Sequence, residues 1–376
     1  MKSILLIAIL MLAIGISAYE VDSYDKVFID SSRNNREINT KIYYPISEDK
    51  ASGRLDSFPK LIFGHGWLMT PASYSQLAQF FASQGFIVAL PYTESGFYPS
   101  HSEFALDLTF LVSALDGEGE NDNSPLYQTV ANQSIVSGHS MGGGVSVLAA
   151  SQSNIFSALV NFAAAETSPS AIDNASDIYV PSLIFSASND NITPENSNQI
   201  PIYQNISADY KSIVSLLGEN HLGITDNNLA YNLAKAFIDY ALTGDSNDQA
   251  DFENLLSDYQ NSGQIEYNLT NNVSAFDQDT LHPCQIKLIN YPNPFNPNTN
   301  ISFELDRNYP DLQLQIYNLK GQLVNSFMID ARKSDNHIIH WDGKDKRGVE
   351  VASGIYLYLL KTKGHELARR KMIMLK

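Results

Sequence analysis

Gly138-His139-Ser140-Met141-Gly142 stands directly after an apolar run ending at Ser137 and directly before the small-residue segment Gly142-Gly143-Gly144-Val145-Ser146. A serine between glycines at a strand-to-helix junction is the pattern of a nucleophile elbow, in which the glycines let the backbone turn sharply and lift the hydroxyl above the sheet. A serine hydroxyl is a weak nucleophile at neutral pH. Ser140 therefore needs a histidine to take its proton and a carboxylate to hold that imidazole in the right tautomer. Around such an elbow the acid and then the histidine follow the serine along the chain. His221, in Gly218-Glu219-Asn220-His221-Leu222-Gly223, is the one histidine between Ser140 and the change of composition at residue 245. Asp190, in Ser188-Asn189-Asp190-Asn191-Ile192-Thr193-Pro194, follows the preceding apolar strand and is the natural acid, with Glu195 as its rival. The oxyanion of a tetrahedral intermediate needs preorganised N–H donors. Met141, next after the nucleophile, offers one, and Trp67, in Phe63-Gly64-His65-Gly66-Trp67-Leu68, offers the other. His65 and His139 precede the acid and are read as supports of the surrounding loops.

The elements that must hold these residues follow from the apolar pattern. Strands are expected at 41–44, 60–63, 86–90, 134–137, 158–162, 181–186 and 212–216, alternating with helices at 73–83, 102–115, 143–151 and 227–242. This alternation specifies an α/β fold with a mostly parallel sheet flanked by helices. In the last helix Leu229, Leu233, Phe237 and Tyr240 recur at helical spacing and form its core face. The short stretch between Phe162 and the next strand has room for one short helix and none for a lid, so the site is expected to be an open groove. Residues 245–285 are rich in Asn, Asp, Gln and Ser, and read as a short helix at 249–259 followed by a polar linker. From residue 286 onward, short strands alternate with turns, as in a small immunoglobulin-like β-sandwich.

At 376 residues the chain is long enough for two compact units of unequal size. Met1-Lys2-Ser3, an apolar run from Ile4 to Ile16 and Ser17-Ala18 have the layout of a secretory signal, so residues 1–18 are expected to be removed. No later run approaches the roughly 20 apolar residues of a membrane helix, and no membrane span is expected in the mature chain. Cys284 is the single cysteine, so no internal disulfide can form. Residues 1–285 carry 10 Lys and Arg against 32 Asp and Glu, whereas residues 286–376 carry 14 against 9. The strong negative charge of the first part repels phosphate backbones and speaks against a nucleic-acid partner. The acidic stretch from Asp116 to Asp122 reads as a solvated loop; no metal site and no cofactor are expected.

Residues 19–244 resemble the dienelactone hydrolase, chlorophyllase and cutinase-like branch of the α/β-hydrolases, polyester hydrolases included. The resemblance is carried by Gly66-Trp67, by Gly-His-Ser-Met-Gly-Gly at 138–143, by Asn189-Asp190-Asn191-Ile192-Thr193-Pro194 and by His221. It implies that Trp67 and Met141 supply the oxyanion amides and that Trp67 and Ile192 line the acyl pocket. Two departures stand out: dienelactone hydrolases use a cysteine at the position of Ser140, and the disulfide and aromatic clamp of many polyester hydrolases are replaced by Ala163-Ala164-Ala165-Glu166-Thr167 and a lone cysteine.

Residues 286–376 resemble the type A sorting domain of the type IX secretion system. The matching pieces are Tyr291-Pro292-Asn293-Pro294-Phe295-Asn296-Pro297, Ile316-Tyr317-Asn318-Leu319-Lys320-Gly321, Trp341-Asp342-Gly343-Lys344-Asp345, Ser353-Gly354-Ile355-Tyr356 and the end from Arg370 to Lys376. This resemblance implies export through the periplasm of a Gram-negative bacterium to the surface or medium, with the secretion machinery as partner. Together the two halves lead to the expectation of a secreted carboxylic-ester hydrolase acting on bulky or polymeric esters through an acyl-enzyme. An amidase or peptidase would use the same machinery, and a surface binding protein with an inactive hydrolase fold is the alternative outside enzymes.

Overall fold

The computed structural model describes residues 18–46, 56–272, 288–305, 312–318, 321–329, 336–362 and 365–375. The expected signal segment up to residue 17, Cys284 and the end of the expected linker lie outside these residues. The chain divides into two compact units, Met1–Leu281 and His282–Lys376.

Among the described residues the first unit is built on nine strands: β1 (Glu20–Asp30), β2 (Arg36–Ile46), β3 (Phe58–Gly64), β4 (Ile87–Pro91), β5 (Val130–His139), β6 (Ala158–Phe162), β7 (Ser182–Ala187), β8 (Tyr210–Leu216) and β9 (Ile265–Asn271). They lie in the order β1-β2-β4-β3-β5-β6-β7-β8-β9. From β4 through β8 neighbouring strands run parallel; β1 and β2 at one end, and β9 at the other, pair antiparallel. The parallel strands β4 and β6 are buried along their whole length, as expected where helices cover both faces. Those helices are α1 (Ser75–Ser83), α2 (His101–Glu120), α3 (Met141–Gln152), α4 (Ala171–Asn174), α5 (Gln199–Asn205), α6 (Asn228–Thr243) and α7 (Ser246–Asn261). One apolar layer packs Leu77, Phe81, Leu233 and Phe237 against one face of the sheet. The other packs Leu108, Leu111, Val145 and Leu148 against the opposite face.

The mostly parallel α/β sheet matches the sequence-based expectation, and so does the single short helix α4 between β6 and β7. Two regions differ. Residues 246–271 are an integral part of this unit: α7 buries Phe252 and Leu256 in the core, and β9 pairs along the full length of β8. The helix expected at 249–259 is present and longer, as α7, whereas the stretch after it that reads as a linker forms β9, whose polar residues lie on the exposed face of an edge strand. In addition, α2 continues to Glu120, although Asp116–Asp122 read as a loop. Its acidic last turns are tethered from the sheet, with Asp116 paired to the buried Lys60 and Glu118 3.0 Å from Lys26.

Among the described residues the second unit has two antiparallel sheets. One joins β10 (Ile289–Tyr291), β11 (Thr299–Glu304) and β14 (Asn336–Trp341); the other joins β13 (Leu323–Met328), β12 (Gln313–Asn318), β15 (Gly354–Thr362) and β16 (His365–Met374) in that order. Ile301, Phe303 and Trp341 from the first sheet and Leu314, Ile316 and Tyr358 from the second share one core. This is the expected immunoglobulin-like arrangement, with strands meeting their partners through alternating inward residues.

Candidate active site

Ser140 occupies the sharp turn between β5 and α3. Its backbone has φ 55° and ψ −120°, a conformation that costs a non-glycine residue about 1–3 kcal/mol and persists where the surroundings enforce it. Here the Ser140 N–H donates to Phe162 O at 3.0 Å, and Ser140 O accepts from Ala165 N at 2.8 Å and Gly144 N at 3.1 Å. The flanking glycines are required by close approach. A Cβ on Gly138 would lie 2.3 Å from Gly142 O, and one on Gly142 would lie 2.1 Å from Gly64 O. The alanine run after β6 has the same origin, because a Cβ on Gly143 would already meet Ala164 Cα at 2.8 Å.

His221 stands on the loop after β8. Asn220 folds that loop by accepting the amides of Leu222 and Gly223 at 3.1 Å each. Asp190 stands on the loop after β7, and the two loops are laced together: Asn189 N donates to Glu219 O at 2.9 Å, and Gly218 N to Ser188 Oγ at 2.8 Å. The three side chains meet in line. Ser140 Oγ lies 3.0 Å from His221 Nε2, and His221 Nδ1 lies 2.7 Å from Asp190 Oδ2.

Asp190 is buried. Burial acts to raise its pKa, but His221, the Thr193 amide and hydroxyl and the Ile192 amide outweigh it and hold the carboxyl below the ordinary aspartate value. Asp190 Oδ1 accepts from Ile192 N and Thr193 N, both at 2.8 Å, while Oδ2 accepts from the Thr193 hydroxyl at 2.8 Å. Thr193 is a member of the site that sequence reasoning missed; its place three residues after the acid, in an Asp-x-x-Thr pattern that allows the side chain to fold back, was the available signal. Glu195, the rival acid, faces elsewhere and accepts from Ser186 Oγ and Ser215 Oγ at 2.7 and 2.9 Å.

Among the described residues, no hydrogen bond engages the Met141 or Trp67 amide. Trp67 and Ile192 are both more than half exposed. Trp67 Nε1 donates to Phe97 O at 3.3 Å, which ties the loop after β4 to the loop after β3. His65 and His139 are fully buried and face main-chain oxygens: His65 those of Gly66 and Thr93, His139 that of His221. The described residues contain no group of acidic, cysteine and histidine side chains that could hold a metal, and no helix long and apolar enough to cross a membrane.

Comparison with known proteins bears on both units. No curated protein matches the chain. Residues 292–365 match the FlgD Ig-like domain, in line with the two-sheet architecture of the second unit. The first unit, with its serine elbow between β5 and α3 and its covered mixed sheet, matches from residue 30 to residue 263; the chain belongs to the PET hydrolase-like family of the α/β-hydrolase superfamily.

Proposed function

We propose that the protein hydrolyses carboxylic esters through an acyl-enzyme, with Ser140 as nucleophile, His221 as general base and then acid, and Asp190 as the carboxylate that orients His221. The observation that carries this reading is the unbroken line from Ser140 Oγ to His221 to Asp190, with contacts of 3.0 and 2.7 Å. Ser140 Oγ attacks the ester carbonyl carbon while His221 Nε2 takes its proton; the carbonyl oxygen becomes an oxyanion. The amides of Met141 and Trp67 receive it. Collapse of the intermediate expels the alcohol, which takes the proton from His221, and water then repeats the sequence on the acyl-enzyme to release the acid and restore Ser140. Asp190 stays ionised throughout and stabilises the imidazolium.

The mouth of the site supports a polymeric substrate. Trp67, Phe97, Tyr98, Ile192 and Leu222 are all exposed, Phe97 at 71% and Tyr98 at 97%. Such exposed apolar side chains, on the loops after β3, β4, β7 and β8, are a feature of binding surfaces. We place Trp67 and Ile192 against the acyl group and assign the rim to contact with an insoluble polyester. Incubation with a fluorophosphonate probe, followed by peptide mapping, should place the adduct on Ser140, and polyester film should release soluble acid. An unlabelled Ser140 overturns the reading.

We also propose that the second unit is a sorting domain for the type IX secretion machinery and that the protein is exported to the cell surface or medium. The five motif segments between Tyr291 and the C-terminus support this. Residues 286–376 fused to an inert periplasmic cargo should carry it across the outer membrane of a host with this secretion system; retention in the periplasm rejects the assignment.

A further inference from the structure

Behind the three aligned side chains runs a second hydrogen-bonded chain. Gly66 N–H donates to the Tyr74 hydroxyl oxygen at 2.8 Å, Tyr74 Oη lies 3.0 Å from His139 Nδ1, and His139 Nε2 lies 2.8 Å from the main-chain oxygen of His221. A carbonyl oxygen only accepts, so Nε2 of His139 carries the proton and donates it. Nδ1 of the neutral ring is then an acceptor, and the Tyr74 O–H donates to it. Every link thus has a donor facing an acceptor, in one direction from Gly66 to His221. Tyr74 and His139 are fully buried, where a polar group without its partner is costly. Burial and the neighbouring His221 push the His139 pKa down to about 4, which keeps the Nδ1 lone pair available. The titratable groups around His139 are Tyr74, His221 and Asp190.

The two ends of this chain are the two halves of the proposed apparatus. The carbonyl of Gly66 accepts from Met69 N–H at 3.0 Å and faces His65 Nδ1 at 2.9 Å. In a planar trans peptide the C=O and the following N–H point in opposite directions, so fixing Gly66 O on one side aims the Trp67 amide to the other. With its own N–H held by Tyr74, Gly66 is tied at both polar atoms. At the far end, His139 holds the backbone that carries the His221 ring.

We propose that Tyr74 and His139 are positioning residues, a buried relay that sets the Trp67 oxyanion amide and the His221 base in register with one another. The proposal rests on the roles given above to Ser140, His221 and Trp67.

The test uses the full chain and p-nitrophenyl acetate. Tyr74→Phe removes one hydroxyl and keeps the ring; kcat should fall about five- to twenty-fold with KM within two-fold, because aligned catalytic groups act mainly on the transition state. His139→Leu should lose a similar factor, and the double variant should lose no more than about twice the worse single one, since a chain already broken is not broken again. His139→Gln, whose amide N–H can reach the His221 carbonyl, should recover part of the loss of His139→Leu. A kcat of Tyr74→Phe within two-fold of wild type, or losses that multiply in the double variant, overturns the relay. Should Tyr74→Phe not fold, equal kcat in His139→Leu and His139→Gln overturns it instead. Fluorophosphonate labelling separates the two levels: an unlabelled wild-type Ser140 overturns the underlying nucleophile reading, whereas a labelled serine with fully active relay variants overturns the relay alone.

Discussion

Thr193 donates its hydroxyl to Asp190 Oδ2 at 2.8 Å, the same oxygen that lies 2.7 Å from His221 Nδ1. The carboxylate is thereby fixed on both oxygens, since Oδ1 already receives two backbone amides. Thr193→Val keeps the shape and the amide bond but removes the hydroxyl. Its kcat on a soluble ester is expected to fall by about three- to ten-fold, the scale of one typical net hydrogen bond of about 1 kcal/mol. Steady-state kinetics of the purified variant measure this, and an unchanged kcat rejects the role.

Ser140→Ala and Asp190→Asn act on the chemistry itself. The first is expected to lower kcat by roughly 10⁴ to 10⁶, and the second by about 10⁴ because an amide no longer holds the productive tautomer of His221. Both variants should keep the wild-type melting temperature within a few degrees. Ser140→Ala leaves the strain of φ 55° in place, because alanine carries the same Cβ.

His139 links the site to stability in acid. Its pKa is about 4 in the folded protein and about 6.5 when unfolded. Above pH 6.5 the group is neutral in both states and contributes nothing. Between pH 6.5 and 4 the unfolded chain binds the proton and the folded chain does not, so stability falls as pH falls, by about 3 kcal/mol in all. Asp190 acts at lower pH: its folded pKa is depressed, so its contribution is present above the unfolded aspartate value and is lost as pH drops through the folded one. Urea unfolding of wild type and His139→Gln at pH 7, 5.5 and 4.5 should show a shallower decline in the variant. Parallel declines reject the assignment.

The seam between β8 and β9 defines where the first unit ends. Ile265 is buried on β9, and the strand pairs from Tyr210 with Asn271 to Leu216 with Ile265. A chain ending at residue 263 exposes the β8 edge and is expected to lose at least about 2 kcal/mol, roughly 5 °C in Tm, and to aggregate. One ending at residue 272 retains the pairing and should keep its activity on small esters. Scanning calorimetry of the two truncated chains distinguishes these outcomes.

The elbow, the order of acid and histidine and the parallel strands were legible from residue order because each rests on a local requirement. Gly138 and Gly142 admit no Cβ, β4 and β6 need apolar residues on both faces, and α6 shows its core stripe at helical spacing. The edge elements were not legible in the same way. β1 carries Glu20, Asp22 and Asp25 with alternating exposure, and β9 reads Ile-Glu-Tyr-Asn-Leu-Thr-Asn; each is held by a ladder rather than by a strong pattern of its own. The same holds within the site. Asp190, with Thr193 three residues on, and His221 follow from their positions after β7 and β8, whereas Tyr74 and His139 acquire their partners across separations of 65 and 82 residues. Backbone geometry and apolar periodicity are written into neighbouring residues, but a hydrogen bond between distant loops exists only once the sheet has brought the ends of its strands to one edge.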